Sequence, residues 1–345
     1  MTVGISMTHG SRLEAIVITD SCVSSRGRES NSVNKASTFA TDSYHGVIFG
    51  SGSGNYIEGI LKNLGDISGK TLEEYVSGIQ QAHAERVKKD DQQTLASHQA
   101  AIKRRAEYLN PANLKEEIQE QAEVMPEEAR ASFIHQKLGQ AQQKYDQAIE
   151  QENRMLNQNF DQYKQENQTS FVITGFEGEK IRKFFVSEAG FNELFNDHVE
   201  IGSGLDGANM YFAQNLQGIS PEQKLSTADL AFLAINAYNS SSINHGVGGT
   251  PRIVHVHEKG ADIITNTKVN TLVNLSAAYM ARVNEADLTH RGTRNLVGDV
   301  LSDKKSAYKL VAAAIGESEA AVKSRITPYS SWQAQANQKH FPVGE

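Results

Sequence analysis

From Thr71 to about Gln168 the chain shows no strand pattern. Gln, Glu, Lys and Ala dominate, and the only strong breakers are Asn110-Pro111 and Met125-Pro126. Helix-favouring residues over such a length, without β-branched alternation, admit long helices and exclude a sheet. Thr71 followed by Glu74 is a capping box, which marks a helix start. Each Xaa-Pro pair interrupts a helix, because the residue before proline is pushed towards extended backbone. The spacing predicts two long helices, over 71–109 and 127–167, joined by a short helical tip. In the second, Ile134, Leu138, Ala141, Tyr145, Ala148 and Met155 recur at four-three spacing, with Glu152 interrupting. That pattern is a seam for one partner helix, so the pair reads as an antiparallel hairpin. An apolar share of 39% and a mean hydropathy of −0.47, low for a compact globule, fit such a solvated arm.

The flanking regions have a different texture. Val3 to Met7 and Leu13 to Thr19 are apolar runs separated by His9-Gly10-Ser11, which predicts a hairpin. Val47-Ile48-Phe49 runs into the turn Gly50 to Gly54, and Tyr56, Ile57, Ile60 and Leu61 open an amphipathic helix. Phe171 to Phe176 and Ile181 to Ser187 form a second hairpin across Glu177-Gly178-Glu179. Ile201-Gly202-Ser203-Gly204 leads into a helix, and Ser226 with Asp229 caps another through Tyr238. Arg252 to His257 and Asp262 to Thr265 read as closing strands, followed by helical runs around 270–284 and 302–315. Two antiparallel sheets covered by helix pairs on both outer faces satisfy this order, an α+β fold built as an αββα sandwich. The expected division is residues 1–70 with 169–266 for the sandwich, 71–168 for the hairpin and 267–345 for a C-terminal helical extension.

Composition removes several function classes. With 34 Lys+Arg against 41 Asp+Glu, the formal charge of −7 disfavours a nucleic-acid binder, whose affinity rests on clustered cations. The single cysteine, Cys22, excludes an internal disulfide and fits a reducing compartment. No apolar run approaches the roughly 20 residues that span a bilayer, and no signal peptide opens the chain, so a cytoplasmic protein is expected. The glycine-rich stretches Gly50–Gly54 and Gly202–Gly207 lack a Gly-Lys-Ser/Thr element, so no nucleotide or other cofactor is expected.

Thr2 is the most informative single residue. Removal of Met1 leaves a free N-terminal threonine at the start of a strand. Its hydroxyl attacks and its α-amine takes the proton, a role suited to an amine with an unperturbed pKa of about 7.7–8.0. A nearby cation lowers that pKa and keeps the amine neutral.

The order Thr2, Ile18-Thr19-Asp20, Ser32-Val33-Asn34-Lys35 and Val47-Ile48-Phe49-Gly50 resembles the start of proteasome β-subunits and of HslV-type bacterial peptidases. The resemblance continues beyond the insertion, in the hairpin from Phe171 to Ser187, in Ile201 to Gly204, and in Gly248-Gly249 before Arg252. It implies an N-terminal-nucleophile (Ntn) hydrolase, a threonine endopeptidase working through an acyl-enzyme. Thr2 is then nucleophile and base, Lys35 acts on the amine electrostatically, and Asp20 holds Lys35. Gly50 N–H donates to the oxyanion, and Ser203 is a supporting hydroxyl. A homo-oligomeric ring, a polypeptide substrate and an ATP-dependent unfoldase follow as implied partners. The family's Asp and Ser before the closing Gly-Gly are replaced here by Asn244, His245 and Val247. A proteasome-like scaffold without catalysis, its helical stalk binding a partner, and an Ntn amidase or transpeptidase are the alternatives.

Other candidates point to less. His255 and His257, two apart on a strand, share a face, but no acidic or Cys partner is evident, so they read as paired surface histidines rather than metal ligands. Cys22 reads as a small filler, and Arg26 with Arg28 as a channel or subunit contact.

Overall fold

The computed structural model describes residues 3–10, 13–20, 23–25, 28–30, 35–52, 54–166, 168–217, 219–220, 223, 225–241, 251–280, 290–302, 309 and 318–320. In chain order the strands are β1 (Gly4–Met7), β2 (Glu14–Thr19), β3 (Val23–Ser25), β4 (Arg28–Ser30), β5 (Ala36–Ala40), β6 (Tyr44–Ser51), β7 (Ser170–Glu177), β8 (Lys180–Ser187), β9 (Gly190–Leu194), β10 (His198–Ile201), β11 (Arg252–His257) and β12 (Gly260–Ile263). The helices are α1 (Gly54–Lys62), α2 (Leu72–Ala106), α3 (Pro111–Glu123), α4 (Glu127–Glu166), α5 (Leu205–Asn215), α6 (Thr227–Ser241), α7 (Asn266–Met280) and α8 (His290–Leu301). Two five-stranded antiparallel sheets result, in the orders β10-β1-β2-β11-β12 and β5-β6-β7-β8-β9, with β3-β4 as a separate small hairpin.

Two compact units separate, Met1–Ala84 with Thr169–Glu345, and Glu85–Gln168. In the first, three apolar clusters form. Ile5, Met7, Ile16 and Ile18 pack with residues of α5 to α8, including Phe212, Phe232, Leu272 and Val297. Ala15, Val17 and Val254 of the first sheet meet Val47, Phe49 and Val172 of the second. On the second sheet's other side, Ile48, Phe171 and Ile173 pack with Ile57, Tyr75, Val76 and Ile79. Strand β2 is therefore buried on both faces, which is why it reads as a continuous apolar run instead of alternating with polar residues. At roughly 1.5–3 kcal/mol per fully buried aliphatic or Phe side chain, these clusters supply the main drive for the fold. α7 and α8 share the first cluster, so they belong to this unit's core.

Local signals place the helix starts. Thr71 Oγ1 accepts from Glu74 N–H, and the Glu74 carboxylate accepts from Lys70 N–H. At the start of α6, Ser226 Oγ accepts from Asp229 N–H and the Asp229 carboxylate accepts from Ser226 N–H, a reciprocal capping box.

In the second unit Lys164 pairs with Asp91, and Arg105 with Glu152, so this part of α2 runs antiparallel to α4. Leu156 is buried while Met155 is exposed. The expected position for Met155 is thus corrected: beyond Ala148 the stripe advances by four-residue steps through Glu152 to Leu156, nearer the 3.6-residue turn of a straight helix than a strict heptad. Among the described residues no helix is long and apolar enough to cross a membrane.

Candidate active site

β2 ends at Thr19 in the first sheet and β5 begins at Ala36 in the second, so Asp20 and Lys35 lie at one end of the facing sheets. Lys35 Nζ donates to Asp20 Oδ1 at 2.9 Å, with side chains 1% and 0% exposed. The same oxygen accepts from Val3 N–H at 3.3 Å, and Asp20 N–H donates to the Val3 carbonyl at 3.1 Å. One carboxylate thus ties the residue that follows Thr2 to a buried ammonium. Placing two such charges away from water costs several kcal/mol per ion before their attraction is counted. A buried pair is therefore weak evidence for stability, and a reason to ask what it does.

The turn Gly202–Gly204 closes on the same place. A Cβ on Gly204 would sit 2.8 Å from Val3 Cβ, so only glycine allows the approach. Ser203, in that turn, is exposed. Gly50 lies at the end of β6, and its N–H donates to the Lys35 carbonyl at 2.9 Å. In this arrangement that N–H is engaged in the β5–β6 ladder and is not turned to a substrate. Thr2 lies outside the described residues, as do Cys22, Arg26, Ser32 to Asn34, Asn244, His245, Val247 and Gly248-Gly249.

Two neighbours escaped the sequence reading. Thr19 Oγ1 is buried and has no hydrogen-bond partner among the described residues. Arg252, paired with Thr19 across β2 and β11, donates to the Ala36 carbonyl at 3.4 Å. Only the closing Gly-Gly followed by Arg252 hinted at the latter.

The opposite end of β1 holds further ionisable groups. Lys183, 1% exposed, donates to Thr8 Oγ1 at 2.9 Å and to the Asn196 carbonyl. His9 Nδ1 lies 2.8 Å from Asp197 Oδ2 and its Nε2 lies 3.0 Å from the Ser220 carbonyl. Burial pushes the Glu200 carboxyl up to about 7, although the Lys183 charge opposes the rise. Burial also lowers the His198 imidazole, and Lys183 adds to that. Nothing in the sequence marks Lys183 or Glu200 as buried.

The histidines of β11 do have acidic partners. His255 Nε2 is 3.3 Å from Glu14 Oε2, and His257 Nε2 is 3.0 Å from Asp262 Oδ2. Each carboxylate comes from a neighbouring strand, a pairing that strand register alone reveals. Among the described residues no group of three or more His, Cys, Asp or Glu could hold a metal ion.

No family model matches the chain, and no curated protein matches it. Solved structures to which it is similar include those of Anbu. A Gly-1 mutant of Anbu from Hyphomicrobium sp. strain MC1 has a TM-score of 0.46 at 11% identity, over 83% of this chain and 96% of that one. Anbu, an ancestral beta-subunit, from Yersinia bercovieri has a TM-score of 0.42 at 12% identity, over 76% and 87%. The resemblance to HslV-type peptidases and proteasome β-subunits drawn from the sequence is corrected by these matches, which are to Anbu, a distinct family. The motifs that carried it are short turns and strand ends, and such local chemistry recurs among related folds. No residue role is taken from Anbu.

Proposed function

We propose that the chain is an N-terminal threonine hydrolase that cleaves amide bonds of polypeptides through an acyl-enzyme. The observation that supports this reading is the buried Asp20–Lys35 pair, whose carboxylate also holds the amide of Val3, next in the chain after Thr2. With Met1 removed, the Thr2 hydroxyl gives its proton to its own α-amine as Oγ bonds to the substrate carbonyl carbon. The C–N bond then breaks, the leaving amine takes the proton, and water hydrolyses the ester. Lys35 favours a neutral amine by repulsion between like charges. Asp20 holds Lys35, and Ser203 supplies a hydroxyl at the rim. Gly50 N–H serves the oxyanion once it leaves the Lys35 carbonyl. The same proposal takes the two sheets and their helices as a four-layer αββα sandwich over 1–70 and 169–266. Residues 71–168 are then an inserted helical hairpin, and 267–345 an extension whose α7 and α8 pack into the sandwich's core.

A scaffold without catalysis is the second reading, favoured by the engagement of Gly50 N–H with Lys35. Intact mass together with an electrophilic probe that reacts with N-terminal threonine separates the two. The enzyme reading expects loss of Met1, one adduct on Thr2 and none in Thr2→Ala. Retained Met1, or equal labelling of both proteins, overturns it.

A further inference from the structure

Edge strand β10 and helix α5 meet at the end of β1 remote from Asp20. The His198 ring stacks on Phe212 of α5 at 4.4 Å. His198 Nε2 stands 3.6 Å from Glu200 Oε1, too far for a hydrogen bond. Glu200 Oε1 and His198 Nδ1 are both buried without a hydrogen-bond partner among the described residues. A cavity of about 480 Å³, lined by His198, Asn209, Phe212 and Leu216 among others, opens beside the ring, so there is space for the contact to tighten or take in water.

We propose that Glu200 works as a proton-operated clamp on the contact by which His198 of β10 holds Phe212 of α5, closed when the Glu200 carboxyl is protonated and loosened when it ionises. A protonated carboxyl donates to the facing Nε2 of a neutral imidazole, which gives the Glu200 oxygen a partner. An ionised one can accept from a single imidazole N–H and a backbone N–H, and a buried carboxylate with so few donors is more costly than the neutral carboxyl. The ring stays neutral for a physical reason: burial and Lys183 both disfavour its charged form. The charged groups facing the pair are Lys183 of β8 and Asp197 just before β10, itself paired with His9 beyond β1. Lys183 is the one that draws Glu200 towards ionisation, while burial works the other way and prevails.

The sign follows from linkage. The carboxyl in the folded chain is raised from 4.5 to about 7, so the clamp is fully engaged below about 4.5 and weakens as pH rises to about 7. Because Gly202–Gly204 joins β10 to α5, the clamp also steadies the turn that carries Ser203. That consequence rests on the proposed function; the clamp does not.

Hydrogen exchange of the α5 amides, corrected for intrinsic rates, tests it. Opening is expected to increase at least about tenfold between pH 5 and pH 7 and to level off above, with α1 amides as the internal reference. Glu200→Gln, neutral at every pH, is expected to flatten that response. A direct carbon-13 titration of the Glu200 carboxyl in the wild-type protein gives a reading that needs no variant. Equal pH slopes in wild type and Glu200→Gln, or a Glu200 midpoint in the ordinary carboxylate range, overturn the clamp. Either outcome leaves the Thr2 probe result untouched.

Discussion

The two ends of β1 each bury a lysine, and they deal with its charge differently. At the Val3 end, Lys35 meets the Asp20 carboxylate at 2.9 Å and both side chains are almost sealed from water. At the Thr8 end, Lys183 is placed on a hydroxyl and a backbone carbonyl, and burial pushes the carboxyl of Glu200 up to about 7. A directly bonded pair sets each charge against its counter-charge. Dipoles around a cation leave a neighbouring acid free to titrate. One end is built to hold an electrostatic setting, the other to change one.

The sharpest break of that contrast is at the fixed pair. Asp20→Asn should leave an ammonium buried without its carboxylate and cost about 3–5 kcal/mol in denaturant unfolding. Replacing both members by apolar residues, Asp20→Leu with Lys35→Met, should recover most of that loss, less about 1 kcal/mol for the Val3 bond. Recovery of stability without recovery of probe labelling at Thr2 would assign the pair to chemistry. If Asp20→Asn alone cost less than about 1 kcal/mol, the two ends would not differ as described.

The other end responds more weakly. Lys183→Met should cost about 1–3 kcal/mol, the scale for buried acceptors that lose their donor. It should also push Glu200 further up and let His198 rise, because the Lys183 charge lowers both. Nuclear magnetic resonance titration of the two side chains checks the direction. An unmoved Glu200 midpoint would mean that burial alone sets it, and the end would lose its tunable character.

How much of this was legible follows the range of each interaction. The capping boxes at Thr71/Glu74 and Ser226/Asp229, and the helix opened by Tyr56 and Ile57, depend on residues three or four apart and could be read directly. The antiparallel hairpins at Gly10 and Gly178 were visible for the same reason, since both glycines take positive φ in tight turns. The substitution of Leu156 for Met155 on the α4 stripe was not, because a strict heptad and a straight helix diverge by only one residue there. At the candidate site, Asp20 and Lys35 were proposed from motif order, and their contact needs both sheets. Lys183 was missed because β8 has no clean apolar–polar alternation, so nothing marks its position as buried. The Glu14 and Asp262 partners of the histidines depend on β2–β11 and β11–β12 register.

Glu14 provides the calibration for both ends, because it is a third charge pair on the same sheet, in the open. Its carboxyl is held below the ordinary value chiefly by the hydrogen bond from His255; burial opposes this, and the Thr227 hydroxyl helps. A lowered folded value means stability that is present above about 4.5 and lost as pH falls through the folded value. The Glu14 side chain is 39% exposed, so solvent screens the pair and Glu14→Gln should cost less than about 1 kcal/mol, shrinking further in high salt. Its pH slope should be opposite in sign to that of Glu200, which loses stability as pH rises. Unfolding measured across pH 3 to 8 on Glu14→Gln and Glu200→Gln would show the two slopes vanish separately. A Glu14 contribution that equals that of the buried Asp20–Lys35 pair would contradict the view that enclosure, and not charge pairing as such, separates the parts of this sheet.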